Sequence, residues 1–123
     1  MITNPYDTYK QQSVMTMTSG QMLIMVYNEL IKQLSLAQQA FTQKDISGVN
    51  RYLQKSQKLI RALKGTLNFD YSISENLNNL YDFFLSAVLN ANVKKDPSEL
   101  QTLIEMITEL RDTFTEADKL ARV

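Results

Sequence analysis

Leu23-Ile24-Met25-Val26-Tyr27-Asn28-Glu29-Leu30-Ile31-Lys32-Gln33-Leu34 is the stretch on which the fold turns. Carried on to Ala37 and Phe41, its apolar positions Leu23, Tyr27, Leu30, Leu34, Ala37 and Phe41 step by 4, 3, 4, 3 and 4, the spacing of one helix face. A helix over about residues 19–43 follows. It carries only two charges, Glu29 and Lys32, and its early run Met22-Leu23-Ile24-Met25-Val26-Tyr27 is apolar all round. More of this helix asks for cover than one seam supplies.

The same rhythm recurs three times downstream. Ile46, Val49, Leu53, Ser56, Ile60, Leu63 and Leu67 predict a helix over about 46–67, with Asp45 as its N-cap. Ile73, Leu77, Leu80, Phe84, Ala87 and Ala91 predict one over 72–93, opened by a reciprocal capping box between Ser72 and Glu75. Leu100, Leu103, Ile107, Leu110, Phe114, Ala117 and Ala121 predict a fourth over 97–121, introduced by Asp96-Pro97-Ser98-Glu99. Pro97 is the only proline beyond residue 5, so nothing interrupts these windows. Four such helices joined by short connections pack side by side as an all-α, antiparallel up-down four-helix bundle over residues 19–123. Residues 1–18 lack a sustained period and are expected to form a mobile N-terminal arm with Tyr6 and Tyr9 as apolar handles.

Composition narrows the chemistry. At 123 residues the chain fits one domain, and thirteen basic against thirteen acidic residues leave no global field for nucleic acid or anionic lipid. Cysteine and histidine are both absent, which removes thiolate nucleophiles, imidazole bases and the usual zinc sites. No glycine-rich phosphate loop occurs, and acidic pairs such as Glu105 and Glu109 read as a solvated face. Neither catalysis nor a cofactor is expected. The longest apolar run, Met22 to Tyr27, is far below the roughly 20 residues that span a bilayer, so no stable membrane insertion is expected. No basic-then-apolar secretory leader opens the chain, and a cytoplasmic location is the default reading.

Charge is segregated by helix. Between Ile46 and Leu67 every charge is basic, namely Arg51, Lys55, Lys58, Arg61 and Lys64, whereas the last helix is mainly acidic. The simplest expectation is that the two complement each other across the bundle and stay solvated. A nucleic-acid face is disfavoured because no aromatic stacking platform accompanies the basic residues. The first and third helices are poor in charge, and outside its seam the third also offers Tyr81, Phe83, Leu85, Val88 and Leu89. A wide core, self-association or a partner helix laid in a groove would each cover such residues.

Several separate motifs then resemble one family. Asn4-Pro5-Tyr6-Asp7-Thr8-Tyr9 is similar to its Asn-Pro-Tyr-x-x-Tyr opening, and Met25, Tyr27, Asn28, Ile31 and Lys32 fall on its first-helix pattern. Asn76-Leu77, Leu80-Tyr81-Asp82-Phe83, Ala91-Asn92, Lys95-Asp96 and Glu109-Leu110-Arg111-Asp112-Thr113-Phe114 continue it in order. The chain resembles the flagellin-specific export chaperones of bacteria, the FliS family. That resemblance implies a helical bundle that holds the disordered C-terminal segment of flagellin in the cytoplasm, prevents premature polymerisation and hands the client to the flagellar type III export gate. A disordered tail can fold its apolar stripes onto an apolar groove, and methionines suit an adaptable surface. Met22, Met25, Val26 and Ile31 on the first helix, with Tyr81 and Val88 on the third, are the candidate client contacts. Tyr6 and Tyr9 are expected to plug part of the groove until the client displaces them, and the resemblance suggests that the freed arm meets the export gate. A monomer or weak homodimer is expected. The alternatives are a self-associating structural bundle and an adaptor for another secreted protein.

Overall fold

The computed structural model describes residues 19–121. Among them are four helices: α1 (Ser19–Thr42), α2 (Ile46–Gly65), α3 (Ile73–Lys94) and α4 (Leu100–Ala121). Cross-helix bonds fix their directions. Gln38 donates to Gln101 at 3.0 Å and Arg111 to Asn28 at 3.0 Å, so α4 runs against α1. Asn92 donates to Asn50 at 3.0 Å while Lys64 bonds Asp82, so α3 runs against α2. The result is an all-α antiparallel four-helix bundle.

Its core is a continuous apolar cluster built mainly from the predicted seams, joined by Ala40, Tyr81 and Val88 from positions off them. Tyr27, Leu30, Leu34 and Ala37 of α1 meet Val49, Leu53, Ile60 and Leu63 of α2, with Phe84, Ala87 and Ala91 of α3 and Leu100, Leu103 and Ile107 of α4. Ser56, the one polar member of the α2 rhythm, is fully buried and donates to the Tyr52 carbonyl at 2.9 Å, which satisfies its hydroxyl within its own helix. No buried side-chain nitrogen or oxygen among the described residues lacks a hydrogen-bond partner.

The helices are not evenly packed. α1 lies along both α2 and α4, and α2 lies along α3, but α3 and α4 touch only sparsely. α2 and α4 occupy opposite corners, as do α1 and α3. The expectation that basic α2 and acidic α4 complement each other across the bundle is therefore corrected. Periodicity assigns a helix its faces but not its corner, and here α2 finds its acids elsewhere: Lys55 reaches Glu29 of α1 at 3.5 Å and Lys64 pairs with Asp82 of α3.

The connections show which end signals work. Asp45 caps α2 as expected, accepting from the Gly48 amide at 3.0 Å. Ser72 does not cap α3: its backbone is already helical and its side chain makes no capping bond. The entry is held instead by Asn68, whose side chain accepts from the Asp70 amide at 3.0 Å, and by buried Ser74, whose hydroxyl reaches back to the Asn68 carbonyl at 2.6 Å. Pro97 to Glu99 form a turn before α4 rather than its first turn. Asp96 holds that turn by accepting from the Ser98 amide at 2.9 Å, which draws its carboxyl below the usual aspartate value.

Candidate protein-binding surface

Bundle geometry makes one end unlike the other. The α1–α2 and α3–α4 turns close one end. The opposite end gathers the starts of α1 and α3 with the finishes of α2 and α4, since Asp118 lies against Gly20. There α1, α2 and α4 leave an apolar mouth of about 520 Å³, lined by Met22, Leu23, Val26, Leu63 and Phe114. Met22 is 42% exposed at the mouth, and Phe69 (64%), Tyr71 (65%), Ile73 (55%) and Leu120 (75%) belong to segments at the same end of the bundle. Large apolar side chains exposed in one contiguous region mark a contact surface, whereas scattered ones do not.

A second apolar strip leads away from the mouth. Because α3 and α4 diverge from their shared turn, the α4 seam is buried at Leu100, Leu103 and Ile107, half-buried at Leu110 and Phe114, and exposed at Ala117 and Ala121. On α3 the matching loss of cover leaves Ile73 exposed and Leu77 and Leu80 half-buried. Helical spacing turns Leu80 and Phe83 toward α4, and Met106 and Leu110 toward α3. Phe83 is 50% exposed on this cleft. The mouth and the cleft meet at Phe114, whose ring lies 5.8 Å from that of Tyr27.

Beneath this surface runs an aromatic ladder. Phe83 contacts Phe84 at 6.2 Å between centroids, and Phe84 contacts Tyr81 at 6.4 Å. The Tyr81 hydroxyl then meets that of Tyr27 at 2.5 Å in the core. Burial, and then the hydrogen bond to Tyr81, push the Tyr27 phenol far above the ordinary tyrosine value; burial raises Tyr81 as well. Both phenols are neutral structural groups, held by each other. At the edge of α1, Glu29 sits below the usual glutamate value, chiefly because Gln33 donates to it at 2.9 Å, with Lys32 and Lys55 adding charge.

The six helix residues expected to touch a client divide. Met22 and Val26 come together in the mouth, and Met25 is exposed beside them on the outer face of α1. Ile31 is half-buried on the side of α1 that holds Asn28 and Gln38, away from Met22 and Val26. Tyr81 and Val88 belong to the core, at 1% and 0% exposure, so neither offers surface in this conformation. Tyr6 and Tyr9 of the arm lie outside the described residues. Periodicity placed Leu63, Ile73 and Phe114 on core seams rather than on a surface, and it did not single out Phe69, Tyr71 or Leu120. For Phe69 and Tyr71 a signal existed: two aromatics in a connection between helices have no seam to join.

Among the described residues no cluster of acidic side chains is arranged to hold a metal ion, and no helix is long and apolar enough to cross a membrane. Fold and surface define a class, the small helical bundle whose described residues form an apolar mouth at one end. Its particular family emerges by comparison. The model of the family "Flagellar protein FliS" matches residues 2–121. The "Flagellar secretion chaperone FliS" of Bacillus subtilis is 35% identical over 116 residues, covering 94% of this chain and 87% of the relative. The protein of the same name from Vibrio cholerae is 30% identical over 112 residues, covering 86% and 82%. The chain belongs to the FliS family.

Proposed function

We propose that this protein is a cytoplasmic export chaperone that binds the disordered C-terminal segment of flagellin, prevents its premature polymerisation and assists its delivery to the flagellar type III export gate. The family match over residues 2–121 and the names of the relatives support the export role. The single structural observation that favours a folding-on-binding client is the apolar mouth between α1, α2 and α4, in a bundle whose α3 and α4 pack only sparsely. An amphipathic helix buries anchors at i, i+3, i+4 and i+7, so a long apolar groove suits it better than a compact small ligand. The client exchanges disorder for contact, and the ordering cost keeps a large interface from becoming irreversible.

In this reading Met22, Met25 and Val26 form the first landing site, Phe114 and Phe83 extend it, and Ile31, on the other side of α1, lies apart from it. Tyr81 and Val88 support the site from within. The arm, through Tyr6 and Tyr9, covers the mouth before the client arrives and is released to the export gate afterwards. Removing residues 1–12 then tightens client binding, whereas unchanged or weaker binding contradicts the lid.

Calorimetric titration with the C-terminal helical segment of flagellin, with an N-terminal segment as control, tests the function. The expected result is a one-to-one complex with a large negative heat-capacity change for the C-terminal segment alone. Absence of binding by the folded protein would return function to an adaptor for another secreted protein or to self-assembly.

A further inference from the structure

α2 carries only basic charges on its solvent face, and α4 is mainly acidic along one face, with Arg111 and Lys119 as its two basic residues. On α2, Arg51, Lys55, Lys58 and Arg61 are all exposed, and the helix holds no acid. On α4, Glu105, Glu109, Asp112 and Glu116 are all exposed along one face. Like charges three or four residues apart on a helix repel, so both stripes carry a local penalty. Relief inside the molecule is partial. Lys55 reaches Glu29 at 3.5 Å, Asp112 takes Arg111 at 3.1 Å, and Glu116 takes Lys119 at 3.4 Å. The side chains of Lys58, Arg61 and Glu109 have no partner among the described residues. The two stripes cannot neutralise each other, because α2 and α4 stand at opposite corners of the bundle.

We propose that the basic face of α2 is a docking face for the acidic face of α4 on a second copy of this chain. Complementarity is the first ground. Arg51, Lys55 and Lys58 step by 4 and 3, as do Glu105, Glu109 and Asp112, so helices of equal pitch laid together keep opposite charges adjacent. Each stripe runs about 15 Å along its helix. Relief of both self-repelling faces at one contact is the second ground. The contact uses different faces on the two copies, so it is head-to-tail and each copy keeps one face free. Exposed ion pairs are individually weak and screened by salt, which makes the association weak and reversible.

Sedimentation velocity of the full chain over a concentration series, at about 0.01 M and about 1 M salt, tests this, because screening shortens from about 30 Å to about 3 Å between them. At low salt the weight-average mass rises with concentration without stopping at a dimer. At high salt the association weakens by at least about tenfold. Two charge-reversed variants, K58E/R61E and E109K/E116K, each stay monomeric at low salt with native circular dichroism, and an equal mixture of the two associates again. A native chain that sediments as a monomer at low salt overturns the proposal. So does an association that persists at high salt, which marks an apolar contact, or one that survives either reversal.

Discussion

At the scale of single residues, the Tyr27–Tyr81 pair is the most exacting feature of the core. Two hydroxyls 2.5 Å apart, inside an apolar cluster, satisfy each other and have no other use. Tyr27→Phe or Tyr81→Phe alone strands one buried hydroxyl and is expected to cost about 1–3 kcal/mol. The double replacement is expected to cost well under the sum, since no orphan remains. Urea unfolding of the three variants measures this; additive losses would contradict the pairing. A pH signature accompanies it. Both phenols are held above their unfolded value of about 10, so the folded chain keeps protons that the unfolded chain releases at higher pH. Their contribution is therefore fully present below about pH 10 and is lost as pH rises above it, by up to about 1.4 kcal/mol per pH unit for each group. The double Phe variant flattens that part of the decline. Neither tyrosine's role is legible from spacing. Tyr27 falls on the α1 seam, but Tyr81 lies one residue off the α3 seam, and only the bundle's geometry shows that the off-seam position points inward to a hydroxyl.

At the scale of elements, the ends decide more than the middles. Gly48 sits under the α2 cap, where an added Cβ would come within 2.3 Å of the Asp45 carboxylate and 3.3 Å of the Ala40 Cβ. Gly48→Ala therefore dislodges the cap and is expected to destabilise the chain by about 1 kcal/mol, the usual value of a lost N-cap. Gly65, with nothing within 4 Å of such a Cβ, is the control, and Gly65→Ala is expected to gain about 0.4–1 kcal/mol. Thermal melts that moved both variants in the same direction would contradict this account of the α1–α2 corner. At the next corner Ser74→Ala is expected to lose about 1 kcal/mol by removing a buried bond to Asn68, while Ser72→Ala is neutral in the same melts. The contrast between Asp45 and Ser72 shows what sequence discloses. A cap was legible where an acid stands directly before a periodic run. It was misread at Ser72 because the bond that fixes α3 comes from Ser74 to Asn68, six residues apart and outside any local capping rule.

At the scale of the whole molecule, the arrangement of corners creates the surface. Four amphipathic stripes predicted four helices and an antiparallel bundle. They could not predict that α3 and α4 would diverge, because identical seams serve a closed bundle or an open one. That divergence exposes Ile73 and Phe83 and half-exposes Leu110 and Phe114, none of them separable from core by period alone. Met22 and Val26 were legible because α1 is apolar on more sides than one seam can bury. If the mouth receives the client, Met22→Lys is expected to weaken binding of the flagellin C-terminal segment by at least about tenfold, roughly 1.4 kcal/mol. Ile46→Lys, at a somewhat more exposed position on the closed end, is expected to leave it unchanged in the same titration. Equal losses would mean that binding follows general apolar exposure rather than this site.

The most direct measurement is amide hydrogen exchange on the protein with and without the flagellin C-terminal segment. New protection is expected around Met22 to Tyr27, Leu67 to Ile73 and Leu110 to Phe114, with the closed-end turns at Gln43–Ile46 and Lys95–Glu99 unaltered. Protection confined to those turns, or spread over the solvent face of α2, would contradict this expectation.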